Sequence, residues 1–197
     1  MAETTPEQQG REMDPARTYG DFTESVPLVI EGLTMVFSPT SVSLKERWKN
    51  NSLSADFMAD YFATFYAAHG ADEDGRLEYV KGAVSFVVNE LIENAMKFTD
   101  IEGVPISIRL TMHEGEMVFF ASNGASIAGA QAYEEAVKRL MLADPWAEYE
   151  RRAHANDGSS GLGLLSMLTD YSARLGWRFM PQDQHRLLLT TTVRIPL

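Results

Sequence analysis

The sequence contains no cysteine. Disulfides and thiolate metal sites are therefore excluded. No apolar run approaches the roughly 18–20 residues that span a bilayer, and the start of the chain lacks an apolar signal core. The reading is of a soluble, cytoplasmic protein with no membrane contact. Basic residues are also few, with 17 Lys and Arg against 28 Asp and Glu and a net charge of −11. Such a chain repels a phosphate backbone, so nucleic acid is not an expected partner. Acidity does not exclude nucleotides, which are held by local amides and a metal ion. His69, His113, His154 and His185 are scattered, and no two are spaced as a metal-ligand pair.

The chain of 197 residues suits one domain with a proper core. Residues 1–26 carry six acids against two arginines and are broken by Pro6, Gly10, Pro15 and Gly20. They read as a flexible acidic leader. Residues 27–197 read as the single domain. Leu28–Glu31 and Leu33–Phe37 are short β-rich runs. Residues 41–50 have no firm assignment. Ser54–Ala68 reads as a helix with a broad apolar face of Phe57, Met58, Tyr61, Phe62, Phe65 and Tyr66. That face exceeds one core stripe, so part of it is a candidate homodimer or partner surface. A long helix follows over 76–98. Val104–His113 alternates as a half-buried strand, Glu114-Gly115 turns it, and Glu116–Ala121 returns. Ser122–Gly129 reads as a loop, 130–142 and 146–154 as helices, and 156–163 as a glycine-rich loop. A helix over 162–172 and two strands, 174–180 and 186–195, close the chain. No internal repeat is visible.

The long helix carries the first chemical signal. Val80, Val84, Val87, Val88, Leu91, Ile92, Ala95 and Phe98 form a buried stripe. Glu90, Asn94 and Lys97 fall within about 60° of one another along its edge, and Glu93 points away. Spacing alone equally describes an amphipathic surface helix with a Glu/Lys border. The second signal is Gly158-Ser159-Ser160-Gly161-Leu162-Gly163-Leu164, opening into an apolar helix. Small residues let amides approach an anion, and the helix start adds partial positive charge. Alone, such a loop is also a common structural turn.

Together the two stretches carry a resemblance. Glu-Leu-x-x-Asn-Ala-x-Lys-Phe at 90–98 resembles the N-box of the GHKL ATP-binding superfamily. The 158–164 loop resembles its second glycine box, about 65 residues on and in the family's order. The likeness covers about residues 76–195 and is looser over 28–75. It implies an α/β two-layer sandwich of the GHKL (Bergerat) type, with a mixed, mostly antiparallel sheet covered by helices on one face. It implies ATP and Mg2+ as cofactors. Glu90 would orient or deprotonate the attacking group, Asn94 would hold Mg2+, and Lys97 would lie near the phosphates. Gly158, Ser160, Gly161, Leu162 and Gly163 would cradle them. Residues 128–160 would act as a lid.

The sequence departs from the family at the first glycine box, Asp-x-Gly-x-Gly. In Ser122-Asn123-Gly124-Ala125-Ser126, Ser122 stands where Asp is expected and Ser126 where the second Gly is expected. Ser122, Asn123 and Gly124 are the candidate base-binding residues, with Asn123 the alternative acceptor. Weak ATP binding with poor adenine selection is the expectation.

Among GHKL proteins, the chain resembles stand-alone anti-sigma-factor serine kinases and SiaB-type regulators. The implied function is a protein serine/threonine kinase in a partner-switching system, acting on a small STAS-type antagonist. The alternatives are a degenerate, non-catalytic GHKL binding module and a detached histidine-kinase-like ATPase domain.

Overall fold

In a computed structural model, residues 15–26, 31–38, 44–68, 75–100, 103–113, 115–155 and 161–197 are described. They form strands β1 (Arg17–Gly20), β2 (Glu31–Phe37), β3 (Ile106–His113), β4 (Glu116–Ser126), β5 (Arg174–Pro181) and β6 (Arg186–Pro196). The helices are α1 (Leu44–Ala68), α2 (Arg76–Lys97), α3 (Ile127–Leu142), α4 (Pro145–Ala155) and α5 (Leu162–Asp170). The sheet order is β1-β5-β6-β4-β3-β2, and every pairing is antiparallel. The expected mixed character is therefore not observed. No helix among the described residues is long and apolar enough to cross a membrane.

Strand pleating sorts side chains onto two faces. One row across the sheet runs Met35, Ile108, Ala121, Thr191, Trp177, Tyr19. Its neighbours Phe119, Val193 and Phe179 are fully buried. This face receives the helices. α2 packs on β3 and β4, and α3 on β4, β6 and β1. The stripe expected of α2 holds, with Val80, Val84, Val87, Val88, Leu91, Ile92 and Ala95 all buried. α1 packs on α2 and reaches β2 through Tyr61, whose hydroxyl donates to Glu31 Oε1 at 3.0 Å.

The other face bears no helix in these contacts. Its rows are Val36, Ser107, Ser122, Thr190, Arg178, Thr18, and Thr34, Arg109, Phe120, Thr192, Gly176, Gly20. β1 and β2 are consecutive yet stand at opposite edges, five strand spacings or about 24 Å apart. Ten residues join them, and ten extended residues reach at most about 36 Å. Residues 21–26 of that link are described. They start across the helix-free face, because a Cβ on Gly176 would fall on the backbone of Asp21 and Phe22. We call residues 21–26 the strap.

Three expectations change. The leader contributes strand and strap over 17–26, while 1–14 lie outside the described residues. Arg17–Gly20 pairs with β5, and α3 anchors it. Arg17 donates to Glu134 Oε1 and Oε2 at 2.8 and 3.0 Å, and the Tyr19 hydroxyl donates to the same carboxylate. Secondly, α1 is one helix of 25 residues that begins well before Ser54. Thirdly, 122–126 is strand, because Ser122–Ser126 continues the ladder against Thr190–Arg186.

Candidate functional site

α5 begins at Gly161, whose φ of 106° lies in the left-handed region that favours glycine. Its N-cap, Gly161, has no side chain to cap the helix start, where the first amides and the positive end of the helix dipole lie. Gly163, in the first turn, touches Glu90 of α2. A Cβ on Gly163 would fall inside the Glu90 carboxyl group. The two sequence signals therefore meet in space. Glu90 is half-buried, and burial lifts its carboxyl above the usual range, with the Glu93 charge adding to the effect. A carboxyl perturbed in this way, beside the positive end of a helix, is chemically suited to accept a proton.

From the other side, α4 brings Arg152 over the same turn. A Cβ on Gly161 would lie 2.7 Å from Arg152 Nη1. Arg152 donates to Glu148 Oε1 at 2.6 Å. Hydrogen bonds from Arg151 and then Arg152 hold the Glu148 carboxyl down at about 2. The sequence reading missed Arg152, for which the charged helix 146–154 was the only signal. Gly158 and Ser160 lie outside the described residues. Leu162 and Gly163 form the start of α5 as expected.

One turn on from Glu90, Asn94 is half-buried at the edge of α2. It lines a cavity of about 10 Å³ with Asn123, Tyr133 and Thr191. That is room for about one water. Asn123 is 3% exposed, and its Nδ2 is a buried polar atom without a hydrogen-bond partner. Phe98 and Tyr133 fill the remaining space, with ring centroids 4.1 Å apart. Tyr133 is fixed as well, since its hydroxyl accepts from Trp177 Nε1 at 3.0 Å. Lys97 is exposed, with Nζ 5.6 Å from the Phe98 ring centre.

The other first-box candidates do not join this cluster. Ser122 lies on the helix-free face, where its Oγ is 3.1 Å from Thr190 Oγ1. Gly124 shares that parity and makes room for Val104, whose Cβ would be 2.7 Å from an added methyl. Ser126 is the N-cap of α3. Its Oγ accepts from Gly129 N at 3.0 Å, and Asp100 accepts from Ser126 N at 2.6 Å and from its hydroxyl. A one-residue difference in strand parity thus leaves Asn123, not Ser122, facing Asn94. The lid expected over 128–160 also shrinks. α3 is packed through Ala130, Tyr133, Val137 and Leu140, so among the described residues of that span α4 alone remains a candidate, and 156–160 lie outside the described residues.

No known protein-family model matches the chain, and no curated protein does. A chain in the crystal structure of the SiaB-SiaC complex from Pseudomonas aeruginosa is similar in fold, with a TM-score of 0.54 and 17% identity. The match covers 85% of this chain and 91% of that one.

Proposed function

We propose that this chain is an ATP- and Mg-dependent regulator of the GHKL type that phosphorylates a serine or threonine on a small protein partner. The observation that carries the proposal is the contact between Glu90 and Gly163, which joins a perturbed carboxyl to a helix start suited to phosphate. Bound ATP would supply the phosphoryl group, with Mg2+ offsetting its charge. The amides of Leu162 and Gly163 would face its anionic oxygens, and Lys97 and Arg152 would add positive charge. Asn94 offers one amide oxygen to the metal. Among the described residues no cluster of three His, Cys, Asp or Glu could hold a metal alone, so the ion would rely on phosphate oxygens and water. Glu90 takes the proton of the incoming hydroxyl. Asn123 reads the base in place of Ser122. Its amide presents an acceptor and a donor together, and the donor is unpartnered.

The polar groups fit a nucleotide, but the base end does not have room for one in this conformation. A purine is many times larger than the one water that about 10 Å³ accommodates. Tyr133 or Phe98 must withdraw, and the need to populate that open form lowers apparent affinity. This closure is the specific observation favouring a second reading, a non-catalytic binding module. The likeness to a chain from a SiaB-SiaC complex supports a protein partner of the SiaC kind under either reading. By resemblance, that partner is a STAS-type antagonist in a partner-switching system.

Calorimetric titration with ATP and Mg2+ separates the readings. The kinase reading expects weak binding that loses its Mg dependence in Asn94→Ala. It also expects Glu90→Gln to bind normally and transfer phosphate far more slowly to the co-purified partner. No binding by the wild type at millimolar ATP rejects it and leaves the module.

A further inference from the structure

The helix-free face holds a groove of about 420 Å³ between the strap and the sheet. Its size is in the range of small-ligand pockets. Phe22 and Glu24 of the strap form one wall, and Ser107, Arg109, Phe120 and Ser122 belong to the sheet side. The groove lies on the opposite side of β4 from Asn123, so it is separate from the candidate site above.

The charge pattern on this face is uneven. Arg174 and Arg194 are satisfied by Asp21 and Glu116. Arg178, a groove residue, pairs with Glu24 of the strap. Arg109 has no carboxylate partner among the described residues. Its guanidinium lies 4.0 Å from the Phe120 ring centre, a geometry that leaves N–H edges available while the flat face is stacked. In a chain of net charge −11, an arginine without a carboxylate inside a groove is a notable local exception.

We propose that this groove is a binding site for a small organic anion, a phosphate or carboxylate carried on a flat apolar body. Arg109 holds the anionic group by paired N–H donors, as guanidinium holds phosphate and carboxylate elsewhere. The Ser107 and Ser122 hydroxyls offer further donors, and Phe22, Met180 and Leu188 supply the apolar contact. Glu24 is the internal counterpart of the ligand. Its carboxylate already lies on Arg178, in an ion pair whose acid is 68% exposed. Exposed pairs are weak, so an incoming anion can displace Glu24 and gain a second cation.

The test uses the full chain and three probes: phenyl phosphate, inorganic phosphate and phenol. Phenyl phosphate should bind one to one by calorimetry, more tightly than inorganic phosphate, and phenol should not bind measurably. Arg109→Gln should weaken phenyl phosphate at least tenfold with an unchanged melting temperature. Glu24→Gln should tighten it several-fold. Amide shifts in a nitrogen-15 NMR titration should centre on Ser107, Ser122 and Thr190. Shifts centred on Gly161 and Gly163 would show that the probe reads the other site and would overturn the proposal. So would undiminished binding by Arg109→Gln, or no binding by either the wild type or Glu24→Gln.

Discussion

Ser122 and Asn123 are neighbours in the chain and lie on opposite sides of one sheet. Their surroundings show how differently the two faces are built. On the helix side, polar atoms are exceptions in an apolar interior, and each has a specific partner or, like Asn123 Nδ2, conspicuously lacks one. On the strap side, hydroxyls and arginines form the surface, and aromatic rings are the exceptions. The first face is stabilised by burial and tolerates little change. The second is held by ion pairs and a crossing segment of backbone, and the exposed pair, Arg178 with Glu24, can exchange partners at small cost. Both faces have groups capable of binding, but a ligand on the helix side must displace packed rings, whereas on the strap side it displaces a carboxylate.

The largest expected effect tests this contrast directly. Phe119→Ala removes a fully buried ring and should cost about 3–5 kcal/mol by urea denaturation. Phe120→Ala, one residue along and covered by strap and arginine, should cost clearly less. Equal losses would mean that the strap face is as much a core as the other.

Next comes the carboxylate that ties β1 to α3. Arg17→Gln removes a bidentate partner from the buried Glu134 and should cost about 1–3 kcal/mol. Hydrogen bonding to Arg17 holds the Glu134 carboxyl below its usual range, and Arg194 does the same for Glu116 on the other face. A carboxyl lowered by folding contributes stability that is present above its unfolded value and lost as pH falls through the folded one. Melting temperature should therefore fall below about pH 4.5, the ordinary glutamate value. Glu134→Gln should flatten that fall more than Glu116→Gln. The reverse order would make the strap side the better-coupled face.

Glu90 has the opposite sign. Burial raises its carboxyl, so the folded state is most stable with the proton on and loses stability as pH rises through the unfolded value. Glu90→Gln should raise the melting temperature at pH 7 by a few degrees, a modest gain set against the transfer that the proposed function would lose. A lower melting temperature would make Glu90 structural.

The smallest effect is a null against a change. Ser122→Asp should leave nucleotide affinity unaltered, whereas Asn123→Asp should alter it and its base preference, as read by titration with ATP and GTP. A response at Ser122 would overturn the assignment of parity.

Much of the frame was legible because period and burial coincide. The α2 stripe, the alternation of β3 and the glycines before α5 each announce themselves locally. The misread parts depend on distant partners. Asn123-Gly124-Ala125-Ser126 has turn composition, but Arg186–Leu189 pairs with it and holds it as strand. Arg17–Gly20 is too short to show alternation, and its reasons for ordering, Trp177 and Glu134, lie far along the chain. Tyr133 reads as one more apolar residue on α3. Only the position of Phe98 shows that it closes a cavity. The face on which Ser122 falls could not be known without the register.

The pairing of β1 with β5 joins residues more than 150 positions apart. Closing so long a loop is entropically late work, so β1 should be added after the remaining strands have assembled. What docks last with four residues is also what detaches first, and local opening of such an end costs less than global unfolding. Amide protons of β1 should exchange ahead of those in β4 and β6. Each opening would release Arg17 and Tyr19 from Glu134, the immediate neighbour of Tyr133. A transient fraying at the front of the chain would in this way loosen the helix whose ring fills the space beside Asn123.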